Sequence, residues 1–167
     1  MTYSIREASA GDRPAILAVV RAAFGDGEEE VRLVENVWAR PEYLPDLELV
    51  AERDGVIIGH VLLHTGYVEG RPVAALAPLC VHPKEQRKGI GTGLMNESIT
   101  RANSQGHPLI VLLGHPEVYE RLRFKPARGV GIITDIKLRP GPDPFLVLPL
   151  DKYDPSIRGM FRYCWDQ

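Results

Sequence analysis

Apolar residues along the chain change their spacing several times, and each change predicts a different element. Weak alternation over residues 3–7 suits a short first strand. Ala15, Leu17–Val20 and Ala22–Phe24 then recur at helical spacing. They predict a helix from Asp12, as its cap, to about Phe24, with Pro14 in the first turn. Glu28, Glu29 and Glu30 favour the positive end of a second helix. Val31, Leu33, Val34, Val37 and Trp38 give that helix its apolar face, and it stops before Pro41.

The period then shortens. Leu47, Leu49, Val50 and Ala51 lead into Asp54-Gly55, a hairpin turn signal. Residues 56–68 read as a long buried strand, Gly70-Arg71-Pro72 as a turn, and 73–81 as a further strand, so the three predict an antiparallel meander. After a loop at 82–88, a helix is expected over 89–105, with Ile90, Leu94, Ile99 and Ala102 facing inward and Gly106 at its end. Residues 109–113 form a short apolar strand. Strand, helix and strand across 73–113 make a βαβ unit, whose strands should be parallel neighbours. A short helix at 115–122 and strands at 130–138 and 145–150 follow, the strands divided by the turn-rich 139–144. Residues 157–165 read as a last strand with Phe161, Tyr163 and Trp165 on one face. The expected fold class is α/β: a mixed central sheet, antiparallel first and parallel at its centre.

Composition narrows the reading. A chain of 167 residues suits one domain over 1–167, with a real core. A net charge of −2 supplies no general attraction to nucleic acid or to an anionic membrane, and neither partner is expected. Any basic character is therefore local, as in 84–88. Cys80 and Cys164 fit no zinc spacing and no disulfide framework, so no metal is expected. The start lacks the apolar segment of a signal peptide, and no run of about 18 apolar residues occurs, which predicts a soluble cytoplasmic protein.

The densest chemistry lies at the handover from strand to helix, Leu79-Cys80-Val81-His82-Pro83-Lys84-Glu85-Gln86-Arg87-Lys88-Gly89-Ile90-Gly91-Thr92-Gly93. Glycine weakens a helix, so three in its first turns need a reason. A helix N-terminus offers unpaired N–H groups and partial positive charge. Glycines at 89, 91 and 93 would let a phosphate approach without meeting a Cβ, and Arg87 and Lys88 add full charges. The alternative is a glycine-rich start packed tightly on the sheet, its charges merely solvated. Two nucleotide motifs are excluded: Gly93-Leu94-Met95 is not the Gly-Lys-Ser/Thr of a Walker loop, and Leu94 stands where the dinucleotide fingerprint needs glycine. Pro78 cannot donate to a ladder, so a bulge or local separation is expected there, leaving backbone groups around Leu79–Val81 for another partner. A ligand with amides of its own would suit them.

Val81-His82-Pro83 followed by Gln86-Arg87-Lys88-Gly89-Ile90-Gly91 resembles the Gln/Arg-x-x-Gly-x-Gly/Ala motif of the GNAT (Gcn5-related) N-acetyltransferases. The resemblance continues at Gly114-His115-Pro116-Glu117-Val118-Tyr119-Glu120-Arg121-Leu122-Arg123-Phe124, which is similar to that family's Tyr-Glu-Lys-Leu-Gly-Phe element, most of all in its YhbS-like branch. Arg123 departs from the usual glycine, and His115 from a frequent asparagine. The motifs cover about 79–124, and the order of elements agrees over nearly the whole chain.

The resemblance implies acetyl-CoA as co-substrate and a splayed slot beside the motif strand. It implies that Leu79, Cys80 and Val81 pair with the pantetheine arm. Gln86, Arg87, Lys88, Gly89, Ile90, Gly91 and Thr92 would hold the pyrophosphate, and His115 would contact the cofactor. The acetyl group would pass directly to a primary amine of a small molecule or peptide. Three tasks follow: polarising the thioester carbonyl, by a backbone N–H near Cys80 or Val81; protonating the departing thiolate, by Tyr119 at the general-acid position; and deprotonating the amine. For the last, the motif strand carries no carboxylate. His64, Glu30 and Glu117 each suit a structural or solvated role better, and ordered water is the other route. His60 and His64, about 13 Å apart if in a strand, could not share an ion, and Cys80 reads as a small buried hydrophobe rather than a nucleophile. A non-catalytic acyl-CoA-binding sensor or interaction module is the rival reading, and a homodimer is compatible with either.

Overall fold

The helical spacing near the start becomes α1 (Arg13–Ala23), which buries Ile16, Val19 and Val20 on one face. Each such side chain contributes about 1.5–3 kcal/mol when fully buried. The computed structural model describes residues 2–166 and resolves two compact units. One comprises the described residues up to Leu63 together with Ala77–Arg101; the other comprises His64–Leu76 and the chain from Ala102 onward.

In the first unit β1 (Ser4–Glu7) lies antiparallel to β2 (Tyr43–Arg53), with Ser4 opposite Glu52 and Glu7 opposite Leu49. β2 begins earlier than the apolar run implied and passes through Pro45. Asp12 does not cap α1 with its side chain. Its carboxylate closes the preceding 3-10 turn by accepting from Ser9 N–H (2.8 Å) and Ser9 Oγ (3.1 Å), and it pairs with Arg6 of β1 at 2.7 Å. These bonds hold the Asp12 carboxyl well below the usual carboxylate range, Arg6 contributing most. α2 (Glu28–Trp38) starts on its three glutamates and buries Val31, Val34 and Val37.

The Asp54-Gly55 turn joins β2 to β3 (Val56–Val68), and Glu69-Gly70 joins β3 to β4 (Arg71–Val81). Strand order in the first unit is β1-β2-β3-β4. β4 runs through Pro78, whose preceding peptide bond is cis. A 3-10 turn at Pro83–Glu85 leads to α3 (Ile90–Ser104). Ile90, Leu94 and Ala102 are buried as expected, but Ile99 is only half-buried. Met95 and Ser98 lie inside instead, because the buried stripe runs along 90, 94, 98 and 102 and Ile99 falls on its edge.

β3 and β4 pass into the second unit, where β4 and β5 (Leu109–Leu113) are parallel, with Ala74 opposite Ile110 and Ala75 opposite Val111. β8 (Phe145–Pro149) is antiparallel to β5 from Leu109↔Pro149 to Leu113↔Phe145, and β6 (Lys125–Pro126) lies on its far edge. β9 (Gly159–Arg162) is antiparallel to β3, and β7 (Ile132–Thr134) is parallel to β9. The order in this unit is therefore β7-β9-β3-β4-β5-β8-β6, a mixed sheet around a parallel pair.

Three expectations for this unit need correction. The strand at 130–138 shrinks to Ile132–Thr134: a 3-10 turn over Ala127–Val130 precedes it, and Thr134 Oγ1 accepts from Ile136 N–H, turning the chain out. The helix at 115–122 splits into α4 (Pro116–Tyr119) and a 3-10 turn at Glu120–Leu122. The last strand stops at Arg162, and a 3-10 turn over Cys164–Asp166 follows. Tyr163 and Trp165 consequently stack, their ring centroids 4.4 Å apart. Among the described residues no helix is long and apolar enough to cross a membrane.

Candidate active site

The strand-to-helix handover lies wholly in the first unit. Leu79 and Val81 are half-buried on β4, with Cys80 buried between them. Burial pushes the Cys80 thiol up to about 12, so it stays protonated and unreactive at neutral pH. Gln86 folds its side chain back, and its Nε2 donates to the Val81 carbonyl at 3.1 Å, pinning the loop to the strand end. Arg53 and Glu85 form an ion pair, and Lys88 Nζ joins Glu85 at 3.2 Å. Arg53, ahead of Lys88, holds the Glu85 carboxyl below its ordinary range. Half of the expected Arg87–Lys88 charge is therefore answered within the loop, while Arg87, in the left-handed region at φ 63°, is exposed.

The three glycines separate into three causes. Gly89 has φ 85°, which glycine adopts without strain. Gly93 is glycine for packing: a Cβ there would collide with the Tyr3 hydroxyl, which itself donates to the Gly89 carbonyl at 3.3 Å. This corrects the expectation that all three give a ligand clearance. Only Gly91 lacks a cause in the fold, since its nearest neighbour for a Cβ is Val81 Cγ2 at 3.7 Å. Gly93 N–H already bonds the Gly89 carbonyl at 3.0 Å. The amides ahead of it, on Ile90, Gly91 and Thr92, are those without an intrahelical acceptor. Ile90 buries its side chain and Thr92 is exposed.

In the second unit, His115 is exposed just before α4, and its carbonyl accepts from Val118 N–H (3.0 Å) and Tyr119 N–H (3.3 Å). The Tyr119 ring packs edge-on to Phe124, centroids 5.7 Å apart. It also lies so close to Gly114 that a Cβ there would strike it. Burial raises the Tyr119 hydroxyl above its ordinary value. Arg123 takes the left-handed conformation, φ 69° and ψ 14°, that the motif's glycine would take, so the turn keeps its form with a costlier residue.

A cavity of about 470 Å³ opens beside this segment, between Leu113–Glu117 and the loop from Ile136 to Pro144. Gly114 N–H donates to the Pro144 carbonyl at 2.9 Å and ties the two walls together.

Of the residues considered as bases, Glu30 is half-buried on α2 and Glu117 exposed on α4. His64 is fully buried, 5.2 Å and 5.9 Å from the Trp165 and Tyr163 ring centroids. Sequence reasoning missed Glu48. This carboxylate, 1% exposed, accepts from Tyr43 OH (2.6 Å), Trp38 Nε1 (2.9 Å) and His60 Nε2 (2.8 Å). Burial works to raise its pKa, but these bonds, His60 foremost, outweigh it and hold the carboxyl below its ordinary value. The signal was a lone glutamate inside Leu47-Glu48-Leu49-Val50-Ala51, where burial is continuous. Among the described residues no cluster of three or more His, Cys, Asp or Glu could hold a metal.

The acetyltransferase (GNAT) family model matches residues 13–124. The Escherichia coli (strain K12) uncharacterized N-acetyltransferase YjhQ is 32% identical over 135 residues, covering 77% of this chain and 71% of its own. The uncharacterized N-acetyltransferase YhbS of the same strain is 33% identical over 117 residues, 68% of each. Among solved structures, Escherichia coli YhbS in complex with CoA superposes with a TM-score of 0.87 at 26% identity, covering 99% of this chain and 92% of its own. A GNAT family acetyltransferase from Brucella melitensis in complex with acetyl-CoA gives 0.79 at 26% identity, covering 97% and 96%.

Proposed function

The chain belongs to the acetyltransferase (GNAT) family, and from that membership we propose that it carries an acetyl group from acetyl-CoA directly to a primary amine, with Tyr119 as general acid. The observation that carries the cofactor side is Gly91: it is the motif glycine with no cause inside the protein, and it stands among the open amides of α3. Those amides on Ile90, Gly91 and Thr92, with Gly89 and the side chain of Arg87, would cradle the pyrophosphate. Gln86 would act by fixing the loop, through its bond to Val81. Lys88 would contribute less than a free cation because Glu85 holds it. Leu79, Cys80 and Val81 would line the pantetheine arm, and His115 would contact the cofactor.

In the reaction, the amine nitrogen forms a bond to the thioester carbonyl carbon while a backbone N–H at Cys80 or Val81 stabilises the developing oxyanion. The carbon–sulfur bond then breaks, and the leaving thiolate takes the Tyr119 proton. The amine nitrogen gives up its own proton to water, from which the Tyr119 phenolate is reprotonated. The role needs a protonated phenol, and Tyr119 is protonated at neutral pH with or without the upward shift that burial gives it. The protonated, buried Cys80 argues for direct transfer over an acyl-cysteine intermediate.

Thiol release from acetyl-CoA, followed with a panel of amines for the wild type and Tyr119→Phe, tests the reading. Amine-dependent release that falls in the variant is the expected result. Tight coenzyme A binding with no amine acetylated would show a binding module instead.

A further inference from the structure

We infer that the cavity between Leu113–Glu117 and Ile136–Pro144 is the acceptor subsite, and that it takes an amine whose apolar body carries a carboxylate. The inference rests on the acetyl-transfer reading for the amine, but the site itself stands on its own geometry. At about 470 Å³ the cavity is of the size that holds a small organic molecule. Leu113, Ile136 and Leu138 line it together with four prolines. Leu113 and Leu138 are each 37% exposed, an arrangement that leaves apolar surface for a ligand to cover. Pro116, Pro140, Pro142 and Pro144 restrict the two wall segments, and the Gly114–Pro144 bond joins them, so the walls are largely fixed before anything binds.

The charge lining the cavity sets the chemistry. Lys137 and Arg139 bring two cations against one carboxylate, Glu117. The acids flanking them in the loop are engaged elsewhere. Asp135 pairs with Arg162 at 3.2 Å, and Asp143 pairs with Arg128 at 3.4 Å while accepting from Phe145 N–H at 3.1 Å. A ligand carboxylate is therefore the complement that the two cations lack. The same wall includes Gly114, against which the Tyr119 ring, the proposed acid, packs.

N-acetyl-phenylalanine and N-acetyl-phenylalaninamide, unreactive probes that differ only in the carboxylate, test the site through the methyl resonances of Leu113, Ile136 and Leu138. The acid is expected to bind about tenfold tighter than the amide, the value of one charge-assisted contact. The Lys137→Ala/Arg139→Ala double variant should abolish that preference and leave the KM for acetyl-CoA unchanged. Equal binding of acid and amide overturns the inference. So does a double variant that raises the acetyl-CoA KM, since the cations would then serve the cofactor. Turnover of phenylalanine, phenylalaninamide and phenethylamine separates the two readings. A carboxylate preference in binding with no amine acetylated leaves the subsite standing and removes acetyl transfer. Equal kcat/KM for all three does the reverse.

Discussion

A Cβ built on Gly91 lies 3.7 Å from Cγ2 of Val81 and meets nothing closer, an ordinary contact. Alanine therefore fits the fold there, and it favours a helix over glycine. Gly91→Ala should raise stability by about 0.5 kcal/mol, read as a small rise in thermal midpoint. The same methyl group would stand where a pyrophosphate approaches the α3 amides, so the KM for acetyl-CoA should rise about tenfold or more. An alanine variant with wild-type KM would remove the phosphate from Gly91.

Tyr119 makes a prediction in pH. Burial raises its hydroxyl above the ordinary value of 10.0, so the acid form persists through neutral pH and is lost only as pH rises through that higher value. The wild-type kcat should hold to above pH 10 and then fall. Tyr119→Phe should reduce kcat by about 100-fold to 10,000-fold at neutral pH and lose this alkaline limb, because no phenol remains to titrate. A variant that keeps the limb would assign it to another group.

Arg123 stands at φ 69°, where a side chain costs about 1–2 kcal/mol that glycine avoids. Its N–H bond to the Glu120 carbonyl, 2.9 Å, does not depend on the side chain. Arg123→Gly should therefore stabilise the protein by about 1 kcal/mol, a rise of about 2–4 °C in Tm, while Arg123→Val should lower it. A glycine variant less stable than wild type would mean the guanidinium earns its place through contacts that outweigh the backbone cost.

What the chain made legible was whatever a local pattern determines. The spacing of Val31, Val34 and Val37, the Asp54-Gly55 turn and the strand–helix–strand order across 73–113 all survive in the structure. Gly89, Gly91 and Gly93 looked alike because composition does not say what faces a glycine; only the fold brings Tyr3 against Gly93. Glu48 was hidden for the same reason, since its three donors come from positions 38, 43 and 60. The strand expected at 130–138 failed because apolar alternation cannot register Gly131 at φ 79° or the Thr134 turn that interrupt it. The cavity walls are likewise joined by a backbone bond, Gly114 to Pro144, that no side-chain pattern announces.

Glu48 carries the largest stability prediction. Its ionised carboxylate is matched to Trp38, Tyr43 and His60, all donating, and a glutamine amide would present N–H to at least one of them. Glu48→Gln should cost about 3 kcal/mol at pH 7, measured by urea unfolding. The folded carboxyl lies below its ordinary value of 4.5, so its contribution is fully present above that value and is lost as pH falls through the lower one. The gap between wild type and variant should accordingly narrow in acid, the wild type losing stability that the glutamine protein never had. A gap that stays constant from pH 7 down to pH 3 would mean that the cost comes from altered packing around Trp38 and Tyr43, with the charge on Glu48 contributing nothing.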